Sequence, residues 1–339
     1  MSHFLIKKSE VIKSIFFIIS IFILNLLIFN IDWFKFSDLK YQLDSFTYQQ
    51  MLDSGAYADT LINSFNFVKL LTSEPLWSIF LIFLNKFFSS YFVVFYLIPF
   101  LIILLYAKYI YKNSNFFLIF FLIHPIALMF FLNQLRLAFA MAIFLLICTL
   151  CKTKRKVLIW SSFLFLIHSS FIIFWFSFFF IEFILSKKFN NSKTILILIV
   201  FGVILAFITG PFISEILNFI GDRRADLYSG NLWQTSFLTS LYCLCFVAII
   251  YMNYWFKNDK KVDFELSVSV VFFSMVAVSP IFLGGYPFRF LSAVFPIVIL
   301  SFSHLKNKYQ LAAYLMLSII GIYMGFVQLG WNSIWGEIF

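Results

Sequence analysis

Four of the five arginines in this chain stand at the edges of apolar runs, beside glycines, amides or carboxylates. They are Arg136, Arg223, Arg224 and Arg289. An arginine at mid-membrane costs roughly 2.5–3.5 kcal/mol, so one inside an apolar run usually faces a cavity or a partner. Its planar guanidinium fits a carboxylate or a phosphate. We interpret these four residues as candidates for binding an anion; the alternative is contact with lipid headgroups or local ion pairs.

One histidine and two carboxylates are candidates for general acid–base chemistry. His168 interrupts the apolar run LFLIHSSFIIF, Asp44 begins DSFTYQQ, and Glu74 lies in SEPLW. Each carboxylate stands beside aromatic residues at the edge of an apolar segment. A group within reach of a hydroxyl can take its proton, and histidine changes charge near neutral pH. The sequence leaves open which of the three is the base, and a purely structural or solvated role is the alternative for each.

Amide and aromatic side chains near these residues suit the binding of a glycan. They are Tyr48, Asn133, Gln134, Tyr228 and Trp233. Amides exchange hydrogen bonds with hydroxyl groups, and aromatic rings supply apolar contact area in a binding site. The two amides lie three and two residues before Arg136, in a tight reversal predicted between two helices. The two aromatic residues beyond position 220 belong to the same polar segment as the paired arginines.

The composition identifies the class of protein that must position these residues. The chain has 339 residues, of which 63% are hydrophobic and 12% charged, with a mean hydropathy of +0.97. A soluble domain is nearer half apolar and a quarter charged. The sequence therefore predicts an all-α polytopic integral membrane protein that forms one transmembrane domain over residues 1–339. The net charge of +10 lies mostly in short loops between apolar runs, which argues against nucleic acid as a partner.

No metal site is expected. Cys148 and Cys151 have a CxxC spacing, but no second pair and no neighbouring histidine complete a zinc site. The residues that the topology below assigns to the outer side of the membrane include no DxD motif and no histidine cluster. We therefore expect no cofactor and a metal-independent chemistry.

The distribution of basic residues selects the topology. Residues 76–90 are too short for a comfortable span, and residues 157–185 are too long for one span. If the first segment only dips into the membrane and the second is a pair of short helices, 17 of the 25 basic residues lie inside. The alternative topology leaves almost equal numbers of basic residues on the two sides of the membrane. The positive-inside rule therefore favours about eleven transmembrane helices, some re-entrant or broken, with the N-terminus inside.

This topology puts the candidate residues on one side of the membrane. Residues 32–75 and 214–235 become the two large outer loops, and the four arginines, Asp44, Glu74 and His168 all fall on the outer side. The inner loops are almost purely lysine, which is sufficient to set orientation. We therefore predict a site that faces outward.

Several short motifs occur in the order seen in a known family. NQLRLAFAMAIFL at 133–145, LIHSSFII, SEPLW, DSFTY and YPFRF resemble EpsG-like proteins, which belong to the Wzy-type polymerases of bacterial O-antigens, capsules and exopolysaccharides. The resemblance covers roughly residues 30–300. The family usually has Arg-Gln where this chain has Arg136-Leu137, so any role of that glutamine is either absent here or taken over by Gln134.

The resemblance implies an inverting glycosyltransferase on the periplasmic side of the bacterial inner membrane, with a GT-C-like fold and a cavity open to the periplasm. The donor would be a glycan on undecaprenyl diphosphate, and the acceptor a repeat unit on a second undecaprenyl diphosphate. The arginines would bind the diphosphates, and His168, Glu74 or Asp44 would take the acceptor proton. The partners implied are these lipid-linked oligosaccharides, membrane lipids and a Wzz-type chain-length regulator.

Three rival functions remain open at this stage. A lipid-linked oligosaccharide flippase needs polar residues along a path between the two faces and commonly shows internal repeats, neither of which we find. A membrane O-acyltransferase needs an inner-side histidine, and only His3 and His304 are available there. An O-antigen ligase would use the same arginine chemistry with a different acceptor, and only the motif resemblance favours the polymerase over it.

Overall fold

A computed structural model describes most of the chain, and every secondary-structure element in the described residues is helical. The described residues are 8–30, 44–62, 73–187, 189–211, 215, 237–255, 261–282 and 287–328.

Fifteen helices are labelled here in chain order, two of them continued by a short 3₁₀ turn. They are α1 Lys8–Asn30, α2 Asp44–Asp53, α3 Ala56–Ile62, α4 Pro75–Asn85, α5 Ser90–Asn113, α6 Pro125–Asn133, α7 Leu135–Leu150, α8 Lys154–Ser161, α9 Phe171–Ser186, α10 Asn191–Thr209, α11 Phe237–Trp255, α12 Phe264–Val278, α13 Pro287–Ala293, α14 Phe295–Ser303 and α15 Asn307–Gln328. A separate 3₁₀ helix, Phe116–Ile123, leads into α6 at an angle of 66°.

The chain is a polytopic helical membrane protein. Within the described residues, five helices are long and apolar enough to cross a membrane, or six if the bent pair before α7 counts as one span. Four further apolar helical segments have only 10–17 residues: Lys13–Phe29 within α1, and the helices α4, α7 and α9. The count of about eleven crossings is not reached by these spans alone and stays a prediction.

The two segments that decided the topology are both interrupted. Helix α4 has 11 residues, which at 1.5 Å per residue is about 16 Å and well short of the bilayer core. Residues 157–185 are divided by a turn at His168–Ser170, with α8 and its 3₁₀ continuation before it and α9 after it. The predicted break at His168 is therefore confirmed. Part of the predicted first outer loop, residues 32–75, is helical, because α2 and α3 lie within it.

Helices α7 and α9 share an orientation relative to the basic residues. Helix α7 begins at Leu135 and leads into the lysine-rich stretch 152–156, and α9 begins after His168 and leads into Lys187. Each helix has 16 residues, or about 24 Å. The polar residues at the start of both helices are therefore separated from the basic residues by most of a bilayer core.

Helix α12 is the central helix of the second half of the bundle. It packs against α9, α10, α11, α13 and α14, and most of its side chains are buried. Its contact with α10 is the most extensive in the described residues and is possible because Gly202 has no side chain. A Cβ at Gly202 would overlap the backbone oxygen of Val271 and lie 2.8 Å from Cβ of Ser274. Small residues at such contacts let membrane helices approach closely.

His124 serves the fold. Its Nδ1 accepts a hydrogen bond from the backbone N–H of Ile126 at 3.2 Å, which caps α6, and its Nε2 donates to the carbonyl of Leu317 at 3.1 Å. Gly321 gives the ring its space, since a Cβ there would lie 2.7 Å from the imidazole. Both ring nitrogens are therefore used in holding α15 against the bend before α6.

Replacing Gly202 with alanine is expected to destabilise the protein. The added methyl group meets backbone atoms of α12 that cannot rotate away, so the two helices must separate, at a cost of about 1–3 kcal/mol. The measurement is the midpoint of SDS-induced unfolding in mixed micelles. The control is Val200→Leu, which also adds one carbon, at a position of α10 that is 51% exposed. Equal midpoints for the two variants would contradict the close contact.

Candidate functional site

A one-residue break between α6 and α7 positions Arg136. Gln134 has φ −131° and ψ 50°, which ends α6 at Asn133 and lets α7 begin at Leu135. The break leaves carbonyl groups at the end of α6 without helical partners. One of them, that of Leu132, accepts a hydrogen bond from the Ser45 hydroxyl at 3.1 Å. This bond docks α2 beside the first turn of α7, where Arg136 lies.

Glu74 has an uncommon backbone conformation. It precedes Pro75 as the N-cap residue of α4 with φ 56° and ψ 59°, and it is the only non-glycine residue of the described chain with a positive φ. A non-glycine residue in this region costs about 1–3 kcal/mol, and such residues cluster at functional sites. The carboxylate is only 2% exposed. Both the backbone and the buried charge therefore need compensation from neighbouring groups.

The Glu74 carboxylate is compensated by donors from two other segments. Its Oε1 accepts from Nδ1 of His168 at 2.7 Å, from the Ser169 backbone N–H at 3.0 Å and from the Ser169 hydroxyl at 3.1 Å. Its Oε2 forms an ion pair with Nη1 of Arg136. A buried carboxylate is tolerated when it is paired and hydrogen-bonded in this way. Glu74 therefore joins the start of α7 to the turn before α9.

Tyr48 extends the network from Arg136 to α2. The Nε of Arg136 donates to the Tyr48 hydroxyl at 2.7 Å, and the hydroxyl donates to Oδ2 of Asp44 at 2.8 Å. The guanidinium carbon also lies 5.1 Å from the centre of the Tyr48 ring. Burial raises the pKa of Tyr48 well above its ordinary value, although Arg136 acts in the opposite direction. The phenol therefore stays neutral and relays hydrogen bonding between the arginine and Asp44.

His168 is held in one tautomer by its two neighbours. Its Nδ1 faces a carboxylate, which only accepts, and its Nε2 lies 3.2 Å from Nη2 of Arg289, which only donates. The geometry therefore assigns the proton to Nδ1 and leaves the lone pair on Nε2, as in a neutral imidazole. The side chain is fully buried. A carboxylate behind Nδ1 and a lone pair on Nε2 are what an imidazole needs to act as a base.

Aromatic packing holds the three segments in register. Trp77, one turn into α4, contacts Tyr48 edge-on at 5.6 Å and Phe139 of α7 at 6.0 Å between ring centroids. Phe174 of α9 lies 5.4 Å from Phe290, the residue after Arg289. Aromatic pairs at these separations contribute about 0.5–1.5 kcal/mol beyond their buried area. The two contacts of Trp77 fix Glu74 beside Arg136. The contact between Phe174 and Phe290 brings Arg289 to His168.

Several polar atoms around this network are buried without a hydrogen-bond partner within the described residues. Among them are Oδ1 of Asn133, Oε1 of Gln134 and Nε of Arg289. Buried polar groups are normally paired, so such atoms at one place call for an explanation. An incoming ligand with hydroxyl and anionic groups supplies the donors and acceptors that they lack. Within the described residues, no group of three or more His, Cys, Asp or Glu side chains has the arrangement of a metal site.

Among the predicted site residues that the structure describes, most lie at this site. Asp44, Tyr48, Glu74, Arg136, His168 and Arg289 form one continuous network of side-chain contacts. Asn133 and Gln134 lie at the helix break that precedes Arg136. The remaining four candidates, Arg223, Arg224, Tyr228 and Trp233, lie outside the described residues, in loop 214–235.

Ser169 and Trp77 contribute to the site but were not selected from the sequence. Ser169 donates twice to Glu74, through its backbone and its hydroxyl. Its signal was its position directly after His168, where two serines interrupt an apolar run. Trp77 lies within SEPLW, and nothing in the composition of that segment distinguishes an aromatic support from a lipid-facing residue.

The comparisons with known proteins identify one family. A model of the EpsG family matches residues 11–333, which includes all the residues of the network. Comparison with curated proteins and with solved structures gives no match.

Replacing Glu74 with alanine is expected to lower the free energy of unfolding by about 3 kcal/mol, because the partly buried Arg136 charge loses its partner. SDS titration in mixed micelles measures the change. The control is Asp53→Asn, because the Asp53 carboxylate is exposed and accepts a single hydrogen bond, from Ser90 at 2.6 Å. A Glu74→Ala protein as stable as Asp53→Asn would mean that the network does not support the fold.

Proposed function

The chain belongs to the EpsG family, and from this membership and the network around Glu74 we propose that it is a polysaccharide polymerase. The substrate class is a glycan linked to undecaprenyl diphosphate, as the motif resemblance implies. The observation that carries the proposal is the line of contacts Glu74–His168–Arg289. It pairs a base that carries its lone pair on Nε2 with a cation suited to a phosphate leaving group.

The proposed reaction is an inverting glycosyl transfer. The terminal hydroxyl oxygen of the acceptor repeat unit attacks the anomeric carbon of the donor glycan, and its proton passes to the base. The bond between that carbon and the diphosphate oxygen breaks with inversion, and undecaprenyl diphosphate leaves as an anion. The product is the elongated glycan on the lipid carrier of the acceptor.

His168 is the base that we propose, and Glu74 and Asp44 support it. Both oxygens of Glu74 accept hydrogen bonds or ion pairs, so this carboxylate orients His168 and fixes its tautomer. Asp44 accepts from Tyr48 and is separated from His168 by Arg136 and Glu74. Nε2 of His168 has the lone pair and the neighbouring cation that the reaction needs. These contacts favour His168 over the two carboxylates as the base.

Arg289 and Arg136 are the residues that we propose for the diphosphate. Negative charge collects on the leaving oxygens in the transition state, and fixed cations stabilise it. Arg289 has an unpaired Nε, and the Arg136 side chain keeps 24% of its surface exposed beyond its contacts with Glu74 and Tyr48. Arg223 and Arg224 stay candidates for the second diphosphate. Asn133, Gln134, Tyr48, Tyr228 and Trp233 stay candidates for the glycan.

We place the active site on the periplasmic face of the bacterial inner membrane, with the N-terminus in the cytoplasm and a GT-C-like arrangement of helices. The supporting observation is that α7 and α9 both begin at the network and end at lysines, which mark the inner side. A cavity of about 210 Å³ between α2–α3 and α4 is a candidate entry for a lipid-linked substrate. Its lining includes Met51, Leu52, Tyr57, Ile82 and Lys86.

A flippase is disfavoured by the distribution of polar residues. Transport needs polar groups along a path from face to face, whereas the network in the described residues is confined to one end of α7 and α9. An O-antigen ligase would share the chemistry proposed here and differ in its acceptor. We also propose that the reaction needs no metal ion, which polymerisation in the presence of EDTA tests. A Wzz-type chain-length regulator is a further partner that we propose.

The purified protein is expected to build a glycan ladder from its undecaprenyl-diphosphate repeat unit in the presence of EDTA. His168→Gln is expected to slow the reaction about 10²–10⁴-fold, which is the usual loss of a general base. The control is Asp53→Asn, an exposed carboxylate of α2 outside the network, which is expected to keep full activity. Failure of the wild-type protein to polymerise, with lipid-linked units moving between vesicle leaflets instead, would make this protein a transporter.

Arg289→Lys is expected to lower the polymerisation rate by about 10²-fold or more even though the positive charge is kept. Lysine cannot offer the planar pair of donors that stabilises the diphosphate. The same ladder assay measures the rate, and Arg136→Ala is expected to lose activity as well. The matched control is Arg155→Lys at the other end of the bundle, where the side chain is exposed. Equal rates for Arg289→Lys and Arg155→Lys would remove Arg289 from the mechanism.

A further inference from the structure

The lone pair that makes His168 a base is occupied in the structure. Nη2 of Arg289 donates to Nε2 of His168 at 3.2 Å, and Nδ1 is bound to Glu74. Both nitrogens of the ring therefore have partners, and a hydroxyl group has no free acceptor on this histidine. The imidazole can take a proton only after Arg289 has moved.

The contact between Arg289 and His168 is a weak one for a guanidinium. Its acceptor is a neutral ring nitrogen, and within the described residues Arg289 has no carboxylate within ion-pair distance. Its Nε is buried without a partner. A phosphate offers this guanidinium Coulomb attraction and two parallel N–H···O bonds, whereas the neutral ring nitrogen accepts a single hydrogen bond. A phosphate beside Arg289 is therefore a better partner than His168.

Arg136 lacks this freedom. Its Nη1 is paired with Glu74, its Nε donates to Tyr48, and its guanidinium lies over the Tyr48 ring. Moving Arg136 would leave the buried Glu74 charge without its cation, which costs several kcal/mol. Of the two arginines in the network, only Arg289 can change partner at a low cost.

We infer that Arg289 masks the base until a diphosphate binds. The anion draws the guanidinium away from His168, and Nε2 becomes available at the moment when the leaving group is in place. The ligand class is a diphosphate with its negative charges exposed, which inorganic pyrophosphate reproduces. This inference rests on the proposed function. Its consequence is that the site does not activate an acceptor hydroxyl, or water, when no donor is bound.

The test is magic-angle-spinning NMR of protein labelled with ¹⁵N-histidine in lipid bilayers, with pyrophosphate as the probe. His168 is expected to show a protonated Nδ1 and a hydrogen-bonded Nε2, and pyrophosphate is expected to move the Nε2 signal to that of an acceptor nitrogen released by Arg289. In Arg289→Met, which removes the donor and keeps an unbranched apolar stem, the Nε2 signal is expected at the position of the released nitrogen before pyrophosphate is added. Pyrophosphate is not expected to move it.

His124 is the internal control. It has the opposite tautomer, with the proton on Nε2, because its Nδ1 accepts from a backbone N–H and its Nε2 donates to a carbonyl. Its signals are therefore separable from those of His168 and are expected to ignore pyrophosphate. An unchanged His168 Nε2 signal at saturating pyrophosphate, or an unchanged one in Arg289→Met, would overturn the inference.

The NMR experiment and the polymerisation assay can give different answers, so a failure of the masked base can be distinguished from a failure of the proposed function. A glycan ladder without any His168 response to pyrophosphate would leave the polymerase standing and remove the masked base. A His168 response without a ladder would keep the anion-dependent release and show that the anionic substrate belongs to another reaction.

Discussion

The buried carboxylate of Glu74 is the constraint on which the rest of the site depends. A charge that is 2% exposed must be matched by nearby donors, because water cannot reach it. The matching donors come from the start of α7 and from the turn before α9. Three segments that are far apart in sequence must therefore meet at one point. The same requirement holds Glu74 in a left-handed conformation that an isolated peptide would avoid.

The charges of the network are balanced before any ligand binds. Glu74 and Asp44 face Arg136 and Arg289, and the neutral Tyr48 and His168 connect them. The balance explains how two arginines are tolerated where apolar helices begin. The proposed diphosphate would therefore enter a site whose cations are already partly satisfied. Under that proposal, affinity for the anion depends on which arginine can leave its present contact.

The sequence predicted the positions of the breaks better than the number of crossings. Amides and an arginine within an apolar run predicted the interruption at Gln134, and His168 with two serines predicted the turn before α9, because polar groups are costly inside a lipid-facing helix. The crossing count depends on short helices such as α4, whose 11 residues are compatible with a dip, a surface helix or part of a bundle. Hydropathy measures only how apolar such a segment is.

The sequence could place the site residues on one side but could not show how they pair. The bias of lysines put Glu74, Arg136, His168 and Arg289 together on the outer side, and the structure brings all four into contact. The choice of base stayed open, because it depends on which atoms each side chain faces. The left-handed backbone of Glu74 and the use of both its oxygens are properties of the folded chain that no motif records.

The two arginines of the network are inequivalent, although the sequence gives no reason to distinguish them. Arg136 is held by a carboxylate, a phenol and an aromatic face, so it is part of the scaffold that fixes Glu74 and Tyr48. Arg289 is held by a neutral nitrogen and lies in the first turn of the short helix α13. In the mechanism proposed above, the rigid cation preserves the geometry of the base and the movable one responds to the substrate. A site of that kind needs both, and one type of residue can supply them because the two environments differ.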